Sequence, residues 1–162
     1  MGWLGQMWMG LEEHALSGLT RMARRRGRER GMPAHLATGI DGEREALFYL
    51  RRKGYLVVAR RWSSSEIPGD IDLIAWQGQM LCFVEVKTRT AHDLTAAEIA
   101  VDAHKRHTLR RLARRYVRQL PEPPGPSVRF DILSVYLVPG EKKEFVHFES
   151  AFGWSERRER DW

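Results

Sequence analysis

From Thr38 onward the apolar positions switch between helical and strand periodicities in a regular order. Ala46, Leu47, Tyr49 and Leu50 give one apolar face to a helix predicted over 41–53, with Asp41 as its N-cap and Gly54 as the glycine that ends it. Residues 55–62 predict a strand and 63–69 a loop. Two further strands are predicted over 71–76 and 80–87, joined through Gln77-Gly78-Gln79. A long helix is predicted over 96–120, with Leu109, Leu112, Tyr116 and Leu120 on one stripe. Pro121, Pro123, Pro124 and Pro126 break it. Residues 128–138 and 143–148 predict two last strands around a Pro139-Gly140 turn. The order α-β-β-β-α-β-β is that of a mixed α/β domain, assigned to residues 38–150. The charged tail 151–162 is expected to fray.

Residues 1–37 form an extension of different character, helical and basic or partly disordered. Leu4, Trp8, Leu11, Ala15, Leu19 and Met22 recur at helical spacing, and an arginine cluster follows from Arg21 to Arg30. Three readings stay open: a basic arm for phosphate or membrane surfaces, a helix packed on the core, or an extension preceding a start at Met32.

Composition narrows the class. The chain of 162 residues suits one domain, and 43% hydrophobic with 30% charged residues is globular usage. Cys82 is the single cysteine, which excludes a disulfide or a cysteine-rich zinc site within one chain and favours a reducing, cytoplasmic setting. No stretch approaches the roughly 20 apolar residues of a membrane span. The early Glu12 and Glu13, without a basic start, argue against a signal peptide. A formal charge of +6 points to an acidic partner, with nucleic acid ahead of an anionic membrane surface.

Two features place charge inside apolar strands. Asp72 lies in Gly-Asp-Ile-Asp-Leu-Ile-Ala-Trp, and Glu85 and Lys87 lie in Leu-Cys-Phe-Val-Glu-Val-Lys. A buried carboxylate needs a partner or a metal. Side chains alternate along a strand, so Leu81, Phe83, Glu85 and Lys87 share a face. If Gly78-Gln79 is a two-residue loop, Gln77 pairs with Met80 and the register sets Asp72 opposite Glu85. A three-residue loop would instead set Asp72 opposite Val84. Facing carboxylates repel unless a cation lies between them, and hard oxygen ligands suit Mg²⁺ or Mn²⁺. Such an ion polarises a phosphodiester and acidifies bound water, while Lys87 is placed to orient that water or stabilise charge at phosphorus. Taken alone, Glu-x-Lys is more often an ordinary ion pair on a solvated strand. The combination with Asp72 and the upstream helix favours the site.

Several further segments match a known pattern in order. They are 39–46 with Glu43, Leu50 with Gly54-Tyr55, Gly69-Asp70-Ile71-Asp72-Leu73-Ile74, and Phe83-Val84-Glu85-Val86-Lys87-Thr88-Arg89. After them come Val101, Lys105 and Leu109, then Arg129-Phe130-Asp131. Across 38–138 the chain resembles the YraN-type family of the PD-(D/E)xK nuclease superfamily, close to archaeal Holliday-junction resolvases. The resemblance implies a restriction-endonuclease-like mixed sheet flanked by helices, with catalytic Asp72, Glu85 and Lys87. It also implies a metal site of Asp72 and Glu85 joined by Glu43 from the first helix. Without the family, Glu43 is simply a first-turn acid favoured by the helix dipole. The likeness further suggests Lys105, Thr88 and Arg89 as nucleic-acid contacts. One departure is Asp70, where the family usually has Glu. Asp131 stands in another strand and suits a structural hydrogen bond equally well.

Two functions follow. The first is a Mg²⁺- or Mn²⁺-dependent endonuclease hydrolysing DNA, including branched or repair-intermediate forms. The second is a nucleic-acid-binding or assembly module that keeps the fold without cleaving. Relatives that cut two strands often work as symmetric dimers, so a homodimer is open, although no interface signature is legible.

Overall fold

A computed structural model describes residues 34–92, 101–121 and 126–154. The arm 1–33, the segment 93–100, part of the proline run and the tail from 155 lie outside the described residues. Helix α1 spans Ala34–Arg52, and strands β1 (Leu56–Ser64), β2 (Ile67–Gln77) and β3 (Met80–Arg89) follow. Helix α2 spans Ala103–Val117, and β4 (Ser127–Tyr136) and β5 (Glu144–Phe152) complete the order. The predicted mixed α/β order is therefore the observed one. By its contacts the chain divides after Asp41, within α1, and Gly42–Trp162 is the unit that holds the sheet.

The sheet has five strands in chain order. Three of the four neighbouring pairs are antiparallel, whereas β3 and β4 run parallel. A parallel pair needs a crossover, and α2 supplies it. Leu109, Leu112 and Ala113 of α2 pack on Ile71, Ile74, Leu81, Phe83, Phe130 and Ile132. Phe83 and Phe130 stack with ring centres 5.6 Å apart. Burying such side chains stabilises by about 1.5–3 kcal/mol each, which fixes α2 on this face of the sheet, nearest β2.

Element ends depart from the sequence reading for local reasons. Helix α1 begins at Ala34 rather than at an Asp41 cap, because Leu36 and Ala37 favour helix and interior Thr38 and Gly39 cost too little to stop it. Glu43 is accordingly in the middle of the helix, and no first-turn dipole role remains to it. The serine-rich 63–69 segment is mostly paired strand, with Ser63 opposite Asp70 and Ser64 opposite Ile67. Pro68 is tolerated because β2 pairs with β3 only from Leu73 onward. Helix α2 starts at Ala103, where extended Asp102 caps it by accepting the Lys105 N–H at 2.8 Å, and the 96–100 part of the expected helix lies outside the described residues. Strand β5 continues to Phe152, beyond the expected residue 148.

Two close approaches set the helices. A β-carbon on Gly42 would overlap Thr88 at the end of β3, coming within 2.8 Å of its Cγ2. Gly69 has φ +100°, and a β-carbon there would meet Thr108 of α2 at 3.3 Å.

On the other face, fully buried Asp131 is saturated. Arg129 donates to both its oxygens at 2.9 and 3.0 Å, His147 stands 3.1 Å away, and the Ser150 N–H donates at 2.9 Å. Ser150 adopts φ 55° where β5 slips register, which aims that N–H inward. Burial opposes the Asp131 charge, but His147, Arg129 and the Ser150 amide outweigh it and lower its pKa. Asp131 is thus a structural acid.

Gly42→Ala is expected to destabilise by about 1–3 kcal/mol, as overpacking does. Gly39→Ala, whose β-carbon meets no described atom within 4 Å, is expected to gain up to about 1 kcal/mol. Urea denaturation of the two variants checks the contrast. Asp131→Ala is expected to cost about 3–5 kcal/mol near neutrality. A carboxylate with a lowered folded pKa stabilises fully above its unfolded value and loses that contribution as pH falls through the folded one. The gap between wild type and Asp131→Ala should therefore narrow below about pH 4 in pH-dependent melts.

Candidate active site where the β2–β3 ladder ends

Backbone pairing between β2 and β3 runs from Gln77↔Met80 to Leu73↔Val84 around a tight turn with Gly78 at φ 59°. That is the register expected for a two-residue loop. The next pair would be Asp72 with Glu85. There the ladder gives way, and the Asp72 carboxylate accepts the Val86 N–H at 2.7 Å.

Glu85 is 4% exposed because its strand runs beneath α2 between buried Val84 and Val86. Lys87, two residues on and so on the same face, brings Nζ to 3.0 Å from Glu85 Oε1. Lys105, from the first turn of α2, brings Nζ to 3.1 Å from Oε2. The second contact is at ion-pair distance without aligned hydrogen-bond geometry, so buried Oε2 keeps unused acceptor capacity. Burial, followed by repulsion from Glu85, pushes the Asp72 pKa up to about 7, against the Val86 amide and Lys105, which lower it. Burial works against the Lys105 charge, yet Glu85, Asp72 and Asp70 raise its pKa overall. Asp72, Glu85, Lys87 and Lys105 therefore form one electrostatic cluster.

Glu43 feels the same cluster, adding to the repulsion on Asp72, but its carboxylate is held elsewhere. Arg61 of β1 donates from Nε and Nη2 to its two oxygens at 2.6 and 2.7 Å. Thr88 abuts Gly42 on α1, on the strand face opposite Lys87, and Arg89 is the last residue of β3. Thr88 is thereby turned away from the four-residue cluster. Sequence reasoning missed two neighbours. Arg61 belongs to no motif, and only the β1–β2 register reveals it opposite Asp72. Ser134 pairs with Lys87 across the parallel ladder, is fully buried, and its Oγ has no hydrogen-bond partner among the described residues. Its trace in the sequence is a polar residue continuing the Phe130 and Ile132 face.

Among the described residues no three His, Cys, Asp or Glu side chains are gathered as a metal cluster. The two-acid arrangement nevertheless fits a hard dication: Asp72 and Glu85 repel one another, and Glu85 retains an unused oxygen lone pair. Magnesium commonly takes one or two carboxylates and completes its shell with water and phosphate.

Helix α2 adds a basic approach. Its sequence, AHKRHTLRRLARRYV, contains no acidic residue, and Arg111 and Arg114 lie on its exposed face. Part of this charge is answered within the chain, with Arg115 paired to Glu66 and Arg114 donating to the Trp154 carbonyl. No helix among the described residues is long and apolar enough to cross a membrane.

Comparison with known proteins supplies relatives. The model of "Uncharacterised protein family UPF0102" matches residues 42–135. A UPF0102 protein of Koribacter versatilis (strain Ellin345) is 48% identical over 120 residues, covering 74% of this chain and 82% of the relative. One from Solibacter usitatus (strain Ellin6076) is 45% identical over 129 residues, covering 80% and 96%. Another, from Porphyromonas gingivalis (strain ATCC BAA-308 / W83), is 41% identical over 126 residues, covering 75% and 87%. The matched span includes every member of the cluster.

Asp72 has a testable thermodynamic signature. An acid whose pKa is raised on folding destabilises the fold once ionised, fully above about pH 7 and not at all below its ordinary value near 3.8. Asp72→Asn is therefore expected to stabilise the metal-free protein at pH 8, by on the order of 1–3 kcal/mol. The gain should vanish by pH 4 in thermal melts. Equal gains at both pH values would contradict the raised pKa.

Proposed function

The chain belongs to uncharacterised protein family UPF0102, and from that footing we propose that it is a metal-dependent endonuclease of the PD-(D/E)xK kind acting on DNA. The observation that carries this reading is the apposition of half-buried Asp72 and buried Glu85 with Lys87 and Lys105 at the point where two strands part. Structural ion pairs do not need two repelling acids under one helix, and functional sites collect such perturbed groups.

Asp72 and Glu85 would hold Mg²⁺ or Mn²⁺. A bound ion of this type supplies Lewis-acid polarisation of the phosphodiester and a more acidic water. Lys87, already oriented by Glu85, is the group to position the attacking water or to stabilise charge at phosphorus. Lys105 stands at the start of the basic helix, where it can meet a substrate phosphate. The arginines farther along α2 favour polyanion binding through counterion release. Branched or repair-intermediate DNA is the substrate class to try first. A cytoplasmic setting and a homodimer belong to the same proposal.

One observation favours a second reading, a nucleic-acid-binding module without catalysis: no three metal-ligating side chains are gathered among the described residues. That module would bind DNA without metal and would not need Asp72.

Purified protein incubated with Mn²⁺ and linear, nicked, flapped or four-way DNA separates the two. Cleavage of at least one substrate is expected, falling about 100-fold or more in Asp72→Ala, Glu85→Ala and Lys87→Ala. Salt-sensitive binding without cleavage, unchanged by Asp72→Ala, would leave only the module.

A further inference from the structure

We propose that Arg61 is a phosphate-binding residue of this site, held by Glu43 so that its free guanidinium edge takes a non-bridging oxygen of the DNA backbone. The inference rests on the nuclease reading and extends it to a residue that no motif marked.

Arg61 has φ 45°, and Ser150 is the other non-glycine residue with positive φ among the described residues. L side chains seldom adopt this backbone region, and residues held in it gather at functional sites. Ser150 has a structural reason, since its N–H reaches buried Asp131. For Arg61 the surroundings point to the site. Arg60↔Leu73 and Trp62↔Ile71 bracket it, so it stands across from Asp72 on the neighbouring strand.

The side chain is anchored on one edge only. Nε and Nη2 donate to the Glu43 carboxylate, whose side chain is 11% exposed, while the Arg61 side chain remains 51% exposed. A guanidinium carries five N–H donors in a rigid fork. Two are committed to Glu43, and Nη1 makes no described hydrogen bond. Answering the buried Glu43 carboxylate uses only one edge of a guanidinium that stays half exposed within the field of Asp70 and Asp72. The outward edge of this pre-oriented fork is the part left for a ligand. The matching ligand is a tetrahedral oxyanion with paired acceptors, which is a backbone phosphate. Glu43 is then a positioning residue for Arg61.

The test is DNA binding by fluorescence anisotropy without divalent ions at several salt concentrations, together with thermal melts. Arg61→Asn suits the left-handed backbone, which offsets part of the stability lost with the Glu43 ion pair, and the melts establish that the variant is folded. It should bind roughly tenfold more weakly, the scale of one charged hydrogen bond. Its log K against log salt slope should fall by about 1. Arg61→Gly provides the same test on a residue with no backbone strain at all, and Arg61→Lys should recover part of the affinity. Glu43→Gln should weaken binding less and add nothing in the Arg61→Asn background. Unchanged binding in Arg61→Asn or Arg61→Gly overturns the inference, as does failure of both variants to fold. So does an equal loss from Glu43→Gln with and without Arg61. Wild-type cleavage of DNA with binding indifferent to Arg61 would remove this inference alone, whereas wild type that binds no DNA removes the nuclease reading with it.

Discussion

The hydrogen bond from the Val86 amide to the Asp72 carboxylate is the constraint on which the site depends. Strands that continued their ladder past Leu73↔Val84 would hold Asp72 and Glu85 as a closed cross-strand pair. With the side chain taking the amide, β3 still has its N–H satisfied while β2 is released toward β1. The release leaves Glu85 and Lys87 paired with β4 on one side but with no β2 partner on the other. Helix α2 is fixed there by the apolar contacts of Leu109, Leu112 and Ala113, so Lys105 arrives by packing rather than by its own charge. The polar cluster is thus a consequence of the apolar core beside it.

The sheet carries buried carboxylates on both faces, and their contrast separates structure from chemistry. Asp131 accepts from Arg129, His147 and Ser150, and its pKa is lowered. Asp72 accepts one amide and faces another acid, and its pKa is raised. Desolvation opposes the charge of both, so the difference lies in how completely each charge is answered. A saturated carboxylate has no capacity left for a ligand. The pair Asp72 and Glu85 does, and that asymmetry is the physical ground for looking for function on the α2 face.

Much of this was legible in the sequence. The turn at Gly78 fixed the strand register, and alternation put Glu85 and Lys87 on the face of Leu81 and Phe83, as observed. Lys105 entered through family likeness alone, since nothing local distinguishes it from other basic residues of a basic helix. The boundaries that failed were those decided by tertiary contacts. Gly39 does not end a helix, and Ser63 and Ser64 do not prevent strand pairing when a neighbour supplies the ladder. Arg61 was illegible for a deeper reason: positive φ in a non-glycine residue is imposed by the fold and leaves no compositional signal.

The local charge balance gives the proposed chemistry its internal logic. Glu43, Asp72 and Glu85 are matched by Arg61, Lys87 and Lys105, each cation standing within the field of one or more of those acids. Carboxylates that take a dication have less need of their lysines, and the amines are then available to oxygen atoms of a phosphodiester. The same six side chains would thus hold the metal-free site together and, once a metal is bound, receive an anion. A purely structural network has no use for this convertibility, and Asp131 with its partners lacks it. Function on this sheet is therefore to be sought where charges are balanced but exchangeable.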